Sequence, residues 1–142
     1  MWGVIYLRLT ILARHVAQSA AACLTAMTEG DFEKLTLEHW RVALTTGLVA
    51  GLFGVIMSIG PLIRLYDSRW SFAAIAFFGT LFADRWSHPS HYGGPWTEAL
   101  LTAAGAAMLS LLVSYTPIGR HLERLERLEA RTPGVHGSER ER

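Results

Sequence analysis

One cysteine in 142 residues, Cys23, excludes an internal disulfide framework and any multi-cysteine zinc or iron–sulfur centre. A surplus of one charge sign is missing as well. Thirteen Lys and Arg stand against twelve Asp and Glu, and a net charge of +1 supplies no basic field to hold a nucleic acid. Charge itself is sparse at 18% of residues, where soluble domains carry about a quarter. The length leaves material for one domain at most, which excludes a catalytic cleft between two large lobes. The sequence shows no glycine-rich phosphate loop, no strand pair and no repeat. What fills the chain is apolar: 51% of residues are hydrophobic and the mean hydropathy is +0.25.

The gaps between charges carry the main signal. Between Arg41 and Arg64 lies VALTTGLVAGLFGVIMSIGPLI, 22 uncharged residues. As a helix it would be about 33 Å long, enough to cross a hydrocarbon core of roughly 30 Å. A second uncharged run, Ala99 to Gly119, is closed by Pro117 and Gly119, so its helix is predicted to end near Tyr115 or Thr116. The middle run, Trp70 to Ala83, has only 14 residues before Asp84 and Arg85 interrupt it. It completes a crossing when extended to Ser87, provided that those two charges sit at the interface or face other helices. The fold expected is therefore an all-α membrane protein with three transmembrane helices, the middle one short, over residues 42–116. A re-entrant middle segment is the rival to the third span. A soluble bundle fits poorly, because its helices must show water a polar stripe. Trp40, Tyr66, Trp70, Trp86, Tyr92, Trp96 and Tyr115 cluster at the predicted edges, as aromatic belts do.

Residues 1–27, MWGVIYLRLTILARHVAQSAAACLTAM, are broken by Arg8, Arg14 and His15 and are too interrupted for a clean span. They read as an amphipathic helix lying on an anionic surface, a poor secretory or transit-like leader, or translated sequence upstream of a start at Met27. The segment is set outside the functional argument. Residues 28–41 are polar and acidic, and residues 117–142 form a charged tail. The count of Lys and Arg in short loops puts that tail, with Arg120, Arg124, Arg127, Arg131, Arg140 and Arg142, on the cytoplasmic side of the inner membrane. The Arg64–Arg69 loop joins it there, while residues 28–41 and the loop from Arg85 to Trp96 face outward.

Helix association in lipid relies on close backbone approach, which needs small residues on one face. Gly47, Gly51, Gly54 and Ser58 fall on a single stripe of the first span, with a GxxxG inside it. Ala103, Ala107, Ser110 and Ser114 repeat the device in the last span; Ala73, Ala76, Thr80 and Ala83 supply it in the middle one. These faces either pack one monomer or join copies, and a homo-oligomer is expected.

Asp84, Arg85, His88 and His91, in ADRWSHPSHYGGPW, form the cluster with chemical potential at the outer edge. Asp84, His88 and His91 are candidate metal ligands at i, i+4 and i+7. Pro89 disfavours helix at His88, so such a site would be built from loop; the competing reading is an interfacial cap in which Asp84 pairs with Arg85 or a neighbouring helix. Ser90 between the two histidines has no oriented base and acid behind it. The chain is not expected to be an enzyme or to hold a cofactor. In the tail, IGRHLERLERLEAR predicts a short amphipathic helix with Glu123 and Arg127 as an i, i+4 pair.

The short polar stretch from Met27 to Arg41, the closely spaced apolar spans from Val42 to Thr116 and the arginine-rich tail from Arg120 together resemble the layout of small phage holins. That resemblance implies a protein that accumulates in the inner membrane, self-associates and opens lesions through which a lytic enzyme escapes, with no catalytic residues. Two other functions stand beside it: a small transporter or ion-conducting subunit using Asp84, His88 and His91, and a non-catalytic assembly partner of a larger membrane complex. The partners expected are the lipid bilayer, further copies of the chain and, in the last case, another membrane protein.

Overall fold

The structure, a computed structural model, describes residues 2–87, 95–117, 119–121, 123 and 124, and all regular structure among them is helical. Four helices follow one another: α1 (Trp2–Met27), α2 (Leu37–Met57), α3 (Arg69–Ser87) and α4 (Pro95–Tyr115). Short 3-10 segments lie at Phe32–Lys34 and Gly60–Asp67. Residues 2–27, set apart in the sequence reading, are thus the longest described helix, and no break in packing separates them from the rest.

Local chemistry sets the helix ends. Glu29 (φ 53°) and Gly30 (φ 80°) turn left-handed after α1, and the Gly30 and Glu29 amides donate to the Thr25 and Ala26 carbonyls. This paired closure satisfies carbonyls that a helix end leaves open. Asp31 caps the first 3-10 segment, its carboxylate accepting from the Glu33 amide. Thr36 starts α2 with a capping box: its hydroxyl accepts from the His39 amide while the His39 ring accepts from the Thr36 amide. Pro95 opens α4 at a position where a missing amide hydrogen costs nothing.

The helices pack in a cycle, α1 on α2 and α4, and α3 on α2 and α4. His15, Ser19 and Cys23 of α1 meet Phe72, Thr80 and Asp84 of α3 in the same order, so these two helices run parallel across the bundle axis. Both α2 and α4 run the other way: Gly54 meets His15 while Gly47 meets Val16 and Ala20, and Ser114 meets Arg14 while Gly105 meets Ala22. The result is an up-down-up-down four-helix bundle.

Two helices, α2 and α4, are long and apolar enough to cross a membrane, with mean hydropathies of 1.6 and 1.5 over their best windows. The expectation of three such spans is corrected to two, because α3 carries Arg69, Asp84 and Arg85 within its 19 residues. Only 33% and 39% of those two windows are buried, so most of each helix looks outward. Leu44, Leu48, Leu52 and Ile56 line the outer face of α2, and Leu101, Met108 and Leu112 that of α4. The predicted aromatic edge is also revised: Trp40, Trp70, Trp86, Trp96 and Tyr115 are exposed, Tyr66 is buried, and Tyr92 lies outside the described residues.

The glycine stripe is used inside the chain. A Cβ at Gly47 would stand 2.8 Å from the Val16 carbonyl oxygen, one at Gly51 2.8 Å from the Leu12 and Val16 methyls, and one at Gly54 on the His15 ring. Absent side chains on α2 let the α1 backbone come close, and Ser58 turns its hydroxyl onto the Val55 carbonyl of its own helix. In α4 the inward set is Ala99, Ala103, Ala106, Ser110 and Ser114; Ala107, placed on that face by spacing, is only half-buried. Gly51→Leu is expected to destabilise the folded chain by ~1–3 kcal/mol through overpacking against Leu12 and Val16, read by equilibrium unfolding of the purified protein. An unchanged midpoint would mean that α1 does not lie in this notch.

Candidate functional site

Polar side chains are interleaved with small apolar ones in the interior of the bundle. Its lower end, beside the Gly60–Asp67 segment, is closed by Leu7, Ile11, Tyr66, Phe72 and Ile75. Arg14 and His15 sit on this plug. The Phe72 ring stacks on the His15 imidazole with centroids 4.7 Å apart, and the Arg14 guanidinium lies 3.9 Å from the same ring centroid. Arg14 Nη2 donates to Ser114 Oγ at 2.7 Å, and Tyr66 donates its hydroxyl to the Gly54 carbonyl at 2.7 Å. His15 Nε2 is 3.3 Å from that same tyrosine oxygen.

One to two turns further along α1, Ser19 and Thr80 share a hydrogen bond of 2.6 Å across the axis. Beyond them the Cys23 thiol reaches Asp84 Oδ1 at 3.6 Å and Thr46 Oγ1 at 3.9 Å, and Thr46 pairs with Ser87 at 2.6 Å. A column of polar side chains therefore runs from Arg14 to the level of Cys23 and Asp84, about 13 Å along α1 at 1.5 Å per residue. A guanidinium stands at one end and a carboxyl group at the other, with hydroxyls, a thiol and an amide between. Gln18 supplies the amide. It is only 5% exposed, and neither its Nε2 nor its Oε1 has a hydrogen-bond partner among the described residues. Such a group is costly to leave unmatched, by about 1–3 kcal/mol.

The sequence-derived candidates fare differently. α3 continues through Asp84, and of the two partners expected for it, Arg85 or a neighbouring helix, the side chain, 2% exposed, meets the neighbouring helix α1 at Cys23. Arg85, the next residue, is half-buried and lies over the Trp96 ring, 5.3 Å from its centroid. His88 and His91 lie outside the described residues, and among those described no group of three His, Cys, Asp or Glu could hold a metal ion. Glu123 pairs with Arg69, whose Nε donates to both carboxylate oxygens at 3.2 Å; Arg127, its predicted partner, lies outside the described residues. Residues 119–121, 123 and 124 of the tail are helical.

Sequence reasoning missed Arg14, His15, Gln18, Ser19 and Cys23. Their offsets of one, four, five and nine from Arg14 spread over half the circumference of a helix, so the available signal was a broad polar side rather than a narrow stripe. Family models, curated proteins and solved structures compared with this chain give no match.

Ser19 pairs with Thr80 and Thr46 with Ser87, while the Tyr66 hydroxyl near His15 already donates to the Gly54 carbonyl, so the arrangement presents hydrogen-bond donors and acceptors along the axis. Cys23 is fully buried and is the sole cysteine, which makes it a clean reporter. Maleimide labelling of the folded protein is expected to be slow and to become fast on denaturation in SDS. Equal rates in both states would show that the column is open or that α1 is displaced.

Proposed function

We propose that this chain is a small integral membrane protein of the inner membrane, that its four helices lie in the bilayer as one bundle, and that the polar column handles a small polar or ionic solute. The observation that carries the reading is the inverted distribution of side chains. Large apolar residues at i, i+4 spacing look outward from α2, Phe78, Phe82 and Trp86 look outward from α3, and the buried set combines alanines with Ser, Thr, Gln18, Arg14 and Asp84. Water would penalise that exterior, while a bilayer favours it and requires the interior polar groups to find one another. Ionisable groups inside a membrane bundle face its interior and mark pathways. Arg14, Gln18 and Asp84 fit that pattern, and they take over the role that Asp84, His88 and His91 have in the sequence reading.

With four helices both ends of the bundle chain emerge on one side. Arg64, Arg69, Arg120 and Arg124 belong to that end, against Lys34, Arg41 and Arg85 at the other, where Glu29, Asp31, Glu33, Glu38 and Glu98 outnumber them. The basic end is assigned to the cytoplasm, which keeps the C-terminus there and brings Trp2 to the same face.

Resistance to alkaline carbonate extraction is expected for the membrane placement, and release into the soluble fraction would overturn it. For the column, proteoliposomes containing the chain are expected to pass protons or small inorganic ions faster than empty vesicles. Asp84→Asn and Gln18→Leu should each lower that flux by about tenfold, the effect of ~1.4 kcal/mol on a barrier. Flux equal to that of empty vesicles, or unaltered by both variants, would reduce the column to packing.

A second reading keeps the holin-like lesion, favoured by the wide apolar exterior of α2 and α4, which gives copies a surface on which to associate in lipid. The glycine stripe is occupied by α1, so self-association would use those outward faces. Induced expression in a bacterium would then stop growth abruptly, sooner with an energy poison, and continued growth at high membrane levels would remove this reading.

A further inference from the structure

We infer that the basic pocket where the tail leaves α4 seats the phosphate of an anionic phospholipid, held by Arg120, His121 and Arg124. The inference rests on the membrane placement proposed above and uses no residue of the polar column. The pocket has a volume of about 240 Å³ and is lined by Pro117, Arg120, His121 and Arg124. Three of those four side chains offer N–H donors, and no carboxylate is among them.

The way the tail starts decides where this pocket lies. α4 ends at Tyr115, and the Thr116 hydroxyl accepts from the Gly119 amide at 3.1 Å. Gly119 is buried, and a Cβ there would run into the Val113 carbonyl, so the chain folds tightly against the end of α4. Glu123 then reaches Arg69 at the start of α3. Fixed at these two points, the beginning of the tail crosses the basic end of the bundle instead of projecting from it. Trp70 and Tyr115, both exposed, stand at the same end, beside the start of α3 and at the last residue of α4. Such rings settle at headgroup level, which puts a pocket opening two residues past Tyr115 at the depth of lipid phosphates. Leu112, exposed on the final turn of α4, offers an acyl chain an apolar surface just before the pocket.

The charge of the pocket is not already matched. Glu123, the carboxylate between His121 and Arg124 in sequence, accepts from Arg69 Nε with both oxygens at 3.2 Å. The side chains of Arg120, His121 and Arg124 belong to exposed residues and make no hydrogen bond or ion pair among the described residues. Arg120 and Arg124 are one helical turn apart on a shared face, so two guanidinium forks can engage one phosphate. A free phosphate would use the arginines alone, whereas a phosphodiester carrying acyl chains also covers the apolar end of α4. The anionic lipid of a cytoplasmic leaflet supplies that combination.

The test titrates the full chain, in an uncharged maltoside detergent, with dihexanoyl phosphatidylglycerol by calorimetry. Saturable binding of one lipid per chain is expected, with dihexanoyl phosphatidylcholine, whose choline offsets the phosphate charge, at least about fivefold weaker. Arg120→Gln and Arg124→Gln should each weaken binding by about fivefold. Arg140→Gln combined with Arg142→Gln, a larger change of charge further along the tail, should leave it unaltered. Slow labelling of Cys23 certifies the fold of each variant. Absence of saturable binding, equal affinity for the zwitterionic lipid, inorganic phosphate binding as tightly as the lipid, or an Arg140 and Arg142 effect as large as that of Arg120→Gln would each overturn the proposal. Carbonate extraction separates its failure from that of the membrane placement: a chain retained in the membrane that binds no lipid overturns this site alone, and a released chain overturns both.

Discussion

Polar side chains withdrawn from the surroundings must be satisfied by one another, and this bundle is organised around that requirement. Ser19 and Thr80, Thr46 and Ser87, Cys23 and Asp84, and Arg14 and Ser114 are pairs drawn from different helices. Together these pairs engage all four helices. Inter-helical hydrogen bonds in membrane proteins contribute only about 0.6 kcal/mol each on average, so their number does less for stability than their geometry does for specificity. The polar column fixes which rotation each helix adopts, and the apolar exterior follows as the complementary face.

Much of the helical framework is legible in the sequence, because charge-free runs and terminators act over a few residues. α2 and α4 overlap the two uncharged stretches but start four or five residues earlier, and the end of the first stretch passes into the Gly60–Asp67 segment; the end of α4 falls at Tyr115 as Pro117 and Gly119 indicate. The glycines of α2 are legible as an approach face, but their partner is not. Proximity between Gly54 and His15 joins segments 39 residues apart, and no local pattern encodes it. Arg14 and His15 interrupt hydropathy along α1, so a profile that averages over all faces of a helix reads them as breaks. In the folded chain Arg14 and His15 lie on the inside, while Arg8, nearer the start of α1, is exposed. Asp84 repeats the lesson in α3, where a charge that shortens the apolar run is turned inward and only 2% exposed.

At the basic end, aromatic and ionic contacts replace hydroxyl pairs. Phe72 is shared by Arg14 and His15, Tyr66 closes onto the α2 backbone, and Arg69 links Glu123 to the Tyr115 ring, whose centroid lies 5.1 Å from its guanidinium. Arg69 starts α3 and Tyr115 ends α4, so this contact fastens the start of the tail to the bundle. The Arg69–Glu123 pair is partly exposed and adds little energy by itself. Its effect is positional: it keeps the first residues of the tail against the end of the bundle.

The two seams of α1 are built to opposite standards. Against α2 the backbone of one helix lies in the notch of the other with no spare clearance, and sliding would drive the His15 ring into the main chain at Gly54. Against α4 the contact parts into a groove over half its length. Mechanical compliance is thereby concentrated on one side: the α1–α2 hairpin behaves as a stiff board, the α3–α4 hairpin as its counterpart, and any opening stroke of the molecule would separate the boards along the α1–α4 joint.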